Sequence, residues 1–205
     1  MTRWVETVSG GRDRGVRGLA RAWVEVLVRP ARFFERGVAP GDQAPGLAFA
    51  VCVAGVATAS WLGTATASAP LAVEPPPVAY LLSWLGLTAF VAPVGLHLVA
   101  AVQTIAVLAG APADTRAGVG ETVQVVAYAS APCALSGLPV PVLRYACALY
   151  ATALLAVGIA VRHGVSPARA TVLSTPGALL AFGWAYQGLG AVPAAGAGAA
   201  ALFGL

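Results

Sequence analysis

The sequence contains no lysine, and charge of any kind is scarce: 10% of its 205 residues are charged, while 59% are hydrophobic. Soluble domains carry about 25% charged residues. A water-soluble fold of this size could not hide so much apolar surface. With a mean hydropathy of +0.80, the chain reads as a membrane protein whose solvent is lipid. Cysteine is also sparse. Cys52, Cys133 and Cys147 lie in apolar stretches without a C-x-x-C pair, so they read as small packing residues. The sequence lacks H-E-x-x-H, G-x-S-x-G, the phosphate-binding G-x-x-x-x-G-K and paired intramembrane aspartates. Neither an enzyme nor a bound metal or cofactor is expected. The net charge of +4 is too modest to point to nucleic acid. Residues 1–20 hold Arg3, Glu6, Arg12, Asp13, Arg14 and Arg17 and no apolar run. A cleaved leader is therefore not expected, and the first span should act as a signal-anchor.

What is present is a set of long uncharged stretches: 43–73, 75–113, 122–143, 145–161 and 170–205. A membrane helix needs about 20 apolar residues. The stretches predict an all-α polytopic membrane helix bundle of about five spans, at 47–68, 79–108, 121–138, 142–161 and 171–191. Together these form one membrane domain, 47–191, between a segment 1–46 and a small-residue tail, 192–205. Pro93 should kink the long second span. The turn Gly137-Leu138-Pro139-Val140-Pro141 should fold spans three and four into a close hairpin.

Arginine sets the orientation. With the N-terminus in the cytoplasm, eleven of the twelve arginines fall on cytoplasmic segments: eight before residue 37, then Arg116, Arg162 and Arg169. Arg144, near the outer end of span four, is left to snorkel toward the interface. The expected location is a cell membrane, with the N-terminus cytoplasmic and the C-terminus outside.

Arg14, Arg17, Arg21, Glu25, Arg29, Arg32 and Arg36 recur every three or four residues, which places them on one face of a helix. Leu19, Trp23, Val26, Leu27, Phe33 and Phe34 fall opposite. The pattern predicts an amphipathic interfacial helix over about 13–36, broken at Pro30, with the six arginines as membrane-surface contacts. It could sense or bend the bilayer, dock a cytosolic partner, or simply anchor span one.

Ionisable groups at depth are functional candidates. His97 belongs to a seam of small and polar residues, Gly86, Ala89, Pro93, His97, Ala100 and Thr104. It should therefore pack against a neighbouring helix, with proton relay or transport as the alternative. Glu121, Gln124, Tyr128 and Ala131 form a second polar face. Glu121 should cap its helix, within reach of Arg116. Ala146, Ala153, Ala156 and Ala160 form a small-residue line on span four. His97, Thr104, Gln124 and Tyr128 are the candidate intramembrane polar packing residues.

Three stretches carry a family resemblance. They are Arg29-Pro30-Ala31-Arg32-Phe33-Phe34, then Val126-Ala127-Tyr128-Ala129-Ser130-Ala131-Pro132, and Gly158 followed by Val161-Arg162-His163-Gly164-Val165-Ser166. Over roughly residues 28–190 the chain resembles the Yip1-domain family, in its prokaryotic branch. The resemblance implies five membrane helices, a cytosolic N-terminus, a C-terminus across the membrane, and a scaffolding role. Eukaryotic members are associated with vesicle traffic and small GTPases. This chain lacks their Asp-Leu-Tyr-Gly-Pro element, so a small GTPase is not expected. By the same resemblance, His163 and Ser166 would structure a cytoplasmic loop. Ser166-Pro167 also reads as an N-cap followed by proline at the first helical position. The function expected is a non-enzymatic membrane scaffold or adaptor. Its partners would be membrane lipids, with another membrane protein or a second copy of the chain as further candidates. The alternative is a small transporter or channel subunit with a polar path near His97.

Overall fold

Proline sets where the helices begin. The computed structural model describes residues 15–64, 69–71 and 73–193. Every regular element within them is helical: α1 (Val16–Val28), α2 (Pro30–Gly37), α3 (Ala44–Gly63), α4 (Pro76–Gly110), α5 (Val119–Ala129), α6 (Pro141–His163) and α7 (Pro167–Ala178). Five of these carry proline at their first or second position. There its missing N–H has no partner to lose and its fixed φ suits the helix. Pro30 is one of the five, and it splits the amphipathic segment into α1 and α2.

Two prolines act differently because they lie inside helices. Pro93 in α4 cannot donate to the preceding turn, and the helix passes through a π-helical stretch, Gly86–Val91, just before it. There the Ala92 N–H bonds the Leu87 carbonyl, five residues back. Pro176 in α7 is instead followed by a π-helical stretch, Leu179–Ala185. At Pro93 the missing link falls in the preceding turn, the one that changes its winding; at Pro176 the change of winding comes after the proline.

α3, α4 and α6, with 20, 35 and 23 residues, are each long and apolar enough to cross a membrane. Expected spans three and five are shorter. α5 has 11 residues and gives way to a 3-10 turn, Ala131–Leu135, at Pro132. α7 has 12 residues before its π-helical end. α5 is the centre of the bundle, and every residue from Glu121 to Ala134 is buried. It packs on α3, α4 and α6. A helix that meets only other helices does not need the length or uniform apolarity of one that meets lipid.

Glycine permits the closest approaches. A Cβ at Gly158 of α6 would lie 2.5 Å from Val125 Cγ1 and 3.2 Å from the Phe34 ring, so α2, α5 and α6 meet there. α6 buries Cys147, Ala151, Leu154, Leu155 and Gly158. The small-residue line does not form its packed face: Ala146 and Ala153 are exposed. Alanine is too frequent in this chain for its spacing to mark an interface. Residues 194–205, most of the expected tail, lie outside the described residues.

Candidate functional site

The last turn of α6 gathers a polar junction. Gly164 adopts φ +59°, a left-handed cap that alanine would hold only under strain. This turn ends α6 and leads to Ser166, whose hydroxyl accepts the Arg169 N–H at 3.4 Å as the N-cap of α7. Arg162 forms an ion pair with Glu121 at the start of α5 and donates to the Glu35 carbonyl of α2 at 3.4 Å. The second Glu121 oxygen accepts the Gly118 N–H at 2.9 Å. His163 is fully buried. Its Nδ1 accepts the Ala117 N–H at 3.2 Å, which puts the ring proton on Nε2, 3.3 Å from Thr122 Oγ1. The Thr115 hydroxyl donates to the His163 carbonyl at 3.0 Å.

This junction ties the α4–α5 loop, α2, α5 and α6 together at one end of the bundle. Both nitrogens of His163 and both oxygens of Glu121 are engaged, an arrangement suited to holding helices and not to proton transfer. The sequence predicts Glu121 as a cap within reach of Arg116. The cap is present, but the ion pair is with Arg162, and Arg116 instead donates to the Leu108 carbonyl at 3.1 Å. The partner lies 41 residues away, a separation at which helical spacing carries no signal. Among the described residues no group of three His, Cys, Asp or Glu could hold a metal ion.

Of the four candidate intramembrane polar residues, two meet in the core and two do not. Gln124 is fully buried. Its Oε1 accepts the Ala39 N–H at 3.2 Å and its Nε2 donates to the Ala39 carbonyl at 2.7 Å. Tyr128 is also fully buried, with ring centroids 4.8 Å from Phe33 and 5.0 Å from Phe49. Thr104 is half-buried and bonds only its own helix, at the Ala100 carbonyl, 2.7 Å away. His97 does not face a neighbouring helix. It is exposed, with Nδ1 2.8 Å from the Pro93 carbonyl one turn back. The buried face of α4 here is Leu96, Ala100, Gln103 and Val107, rotated from the expected seam. Gln103 donates to the Leu173 carbonyl of α7 at 3.0 Å.

The amphipathic segment also differs from expectation. Val26, Phe33 and Phe34 are almost fully buried. Trp23 donates to the Ala131 carbonyl at 3.0 Å and packs at a tilt against Phe49, with ring centroids 5.3 Å apart. The apolar face is therefore covered by the bundle and not free for headgroups. Periodicity defines such a face but not what covers it. Arg17, Arg21, Arg29, Arg32 and Arg36 are all exposed, and Arg14 lies outside the described residues. The Tyr150 hydroxyl donates to the Leu27 carbonyl, and Arg162 reaches Glu35. α2 thus runs beside the C-terminal half of α6.

One further feature escaped sequence reasoning. Between α3, α4 and the π-helical end of α7 lies an apolar groove of about 670 Å³. Leu87 and Val91 from one π-helical stretch and Leu180 and Trp184 from the other line it, with Arg144 as its one charged lining residue. Arg144 donates to the Ser136 carbonyl at 2.9 Å, Gln187 Oε1 at 3.3 Å and the Leu138 carbonyl at 3.4 Å. The intrahelical prolines were the available signal, since π-helical turns cluster at functional sites.

No curated protein and no solved structure matches the chain. The Yip1 domain family model matches residues 24–187, from within α1 to the residue that contacts Arg144. The match thus takes in the end of α1, all of α2, the buried α5 and the junction at His163, and on this extent the chain belongs to the Yip1-domain family.

Proposed function

We propose that this protein is a non-enzymatic, multi-pass membrane scaffold whose arginine-bearing flank gathers anionic partners, chiefly lipid headgroups. In this reading α3, α4, α5, α6 and α7 are five spans. The N-terminus is cytoplasmic, the C-terminus lies across a cell membrane, and 1–46, 47–191 and 192–205 are the functional divisions. One observation carries it: the exposed Arg29, Arg32 and Arg36, at the start of α2 and within it, lie beside a helix long enough to cross the bilayer. From Tyr150 to Arg162 is about 18 Å along α6 at 1.5 Å per residue. A bare arginine facing hydrocarbon costs about 3 kcal/mol even on the lenient insertion scale. Anionic headgroups drawn down this flank, or an acidic partner seated on it, would remove that cost.

Membership in the Yip1-domain family supports a membrane protein with lipid or membrane-protein partners. A second copy of the chain is one such partner; nucleic acid and small GTPases are not. Transport along a path at His97 draws no support from the geometry, because His97 faces outward and does not line the groove.

The test is to extract the protein from mixed phosphatidylcholine–phosphatidylglycerol vesicles into polymer-bounded nanodiscs and measure the captured lipid. Each arginine at an anionic surface is worth about 1 kcal/mol. The R29Q/R32Q/R36Q variant should therefore lose several-fold of its phosphatidylglycerol enrichment. Equal enrichment in wild type and variant would refute the lipid reading. An acidic membrane protein lost only from the variant would make the partner a protein.

A further inference from the structure

We propose that the groove between α3, α4 and α7 holds one acyl chain of an anionic glycerophospholipid, with its phosphate on Arg144. This site is separate from the arginines of α1 and α2 and does not depend on them.

The length of the groove is the first argument. It follows α3 from Trp61 to Ala50, eleven residues or about 16 Å. That matches the depth of one leaflet, half of a hydrocarbon core about 30 Å thick. Its volume of about 670 Å³ is within the usual range for a small-molecule site, about 300–1,000 Å³.

Charge is the second argument. Arg144 is the one charged side chain among those lining the groove, and it lies next to the turn at Ser136 and Gly137. Arg144 has no ion-pair partner among the described residues. It offers five N–H donors, and three are given to Ser136, Leu138 and Gln187. The remaining two, one on each terminal nitrogen, are left for a phosphate, which the guanidinium fork fits. Those three acceptors also fix the guanidinium in place before a ligand arrives. Trp61 lines the groove as well, and such side chains favour the headgroup level.

Winding is the third argument. Both π-helical stretches among the described residues, Gly86–Val91 and Leu179–Ala185, contribute to the groove walls. An ordinary α-helix would carry its side chains past this surface at a different angle. Both departures from regular winding therefore shape one apolar slot.

The experiment is native mass spectrometry of the detergent-purified full chain, titrated with phosphatidylglycerol or phosphatidylcholine. Wild type should retain one lipid per chain, with phosphatidylglycerol preferred about fivefold for a single arginine contact. R144Q should abolish the preference and R144K should keep it. A101W places a large ring on an exposed, groove-lining position of α4, and it should lower retention of both lipids. Because Arg144 also holds the turn at Ser136, R144Q is compared only where its unfolding midpoint matches that of R144K. If R144Q fails to fold, R144K and A101W still decide. The proposal is overturned by an unchanged preference in R144Q, loss of preference in a folded R144K, or full lipid retention in A101W. Wild-type dimers that retain no lipid would also overturn it, and would assign the groove to a second copy of the chain.

Discussion

Gln124, at the centre of the bundle, holds both backbone groups of Ala39, accepting its N–H at 3.2 Å and donating to its carbonyl at 2.7 Å. An amide is the side chain that can do both at one residue. The contact fixes the α2–α3 connection, and Gly46 of α3 lies close against the same side chain. Gln124→Leu would leave two buried backbone groups unpaired, at about 1–3 kcal/mol each before relaxation. We expect a lower unfolding midpoint in detergent micelles and faster proteolysis between residues 38 and 43. Gln124→Glu should also destabilise, because a carboxylate cannot donate to the Ala39 carbonyl. An unchanged midpoint in both variants would mean that the clamp contributes nothing.

The Glu121–Arg162 pair is shielded, with side chains 9% and 19% exposed. Removing one member of such a pair strands the other, which costs about 3–5 kcal/mol when the pair is buried. Replacing both by apolar groups removes the attraction and the desolvation penalty together. Glu121→Leu and Arg162→Leu should each destabilise by about 3 kcal/mol, and the double variant by clearly less than their sum. Purely additive losses in a double-mutant cycle would rule out the coupling.

Gly158 makes a steric prediction. A methyl group there meets Val125 Cγ1 at 2.5 Å and the Phe34 ring at 3.2 Å. Overpacking of this kind costs about 1–3 kcal/mol. Gly158→Ala should lower the unfolding midpoint, and adding Val125→Ala should restore part of the loss by removing the closest atom. Failure of the second substitution to rescue the first would locate the strain elsewhere.

These three sites show what a sequence can and cannot disclose. The helical class and the membrane character follow from composition, and the proline positions mark most helix starts, because those signals are local. The Pro30 break and the Ser166-Pro167 cap were accessible for the same reason. Pairings across the bundle were not. Arg162 meets Glu121 and Gln124 meets Ala39 at separations of 41 and 85 residues, where spacing on one helix carries no information. The rotation of α4 was missed for a different reason. Its residues are apolar nearly all round, so a stripe of small residues does not single out the packed face. The π-helical stretch also shifts the register between Gly86 and the residues beyond Pro93.

That rotation changes what His97 should do. In a helix–helix seam, His97→Leu would remove a buried hydrogen bond and lower stability. As an exposed residue bonded at 2.8 Å to its own Pro93 carbonyl, it should tolerate the change. We expect His97→Leu to alter stability by less than about 0.5 kcal/mol, with any shift in a bilayer toward greater stability. A loss of about 2 kcal/mol would return His97 to an interface, in an oligomer or with a partner helix.

The position of α1 and α2 can be settled by labelling in place. Arg29 and Arg32 are exposed, whereas Val26 and Phe33 are 0% and 2% exposed against the bundle. In sealed proteoliposomes, with Cys52, Cys133 and Cys147 replaced, single cysteines at 29 and 32 should react with a water-soluble maleimide, and those at 26 and 33 should not. The contrast distinguishes three states of the same amphipathic sequence. If the segment floated free at the surface with its apolar face in lipid, position 33 would be shielded by acyl chains and would react once the vesicles were dissolved in mild detergent. Docked on the bundle, it stays shielded in detergent until the fold itself is lost. Silence at 29 and 32 in vesicles, relieved by detergent, would instead mean that something other than water and headgroups covers the flank. Position 33 in mild detergent is therefore the decisive reading, because the protein core, unlike the bilayer, survives that treatment.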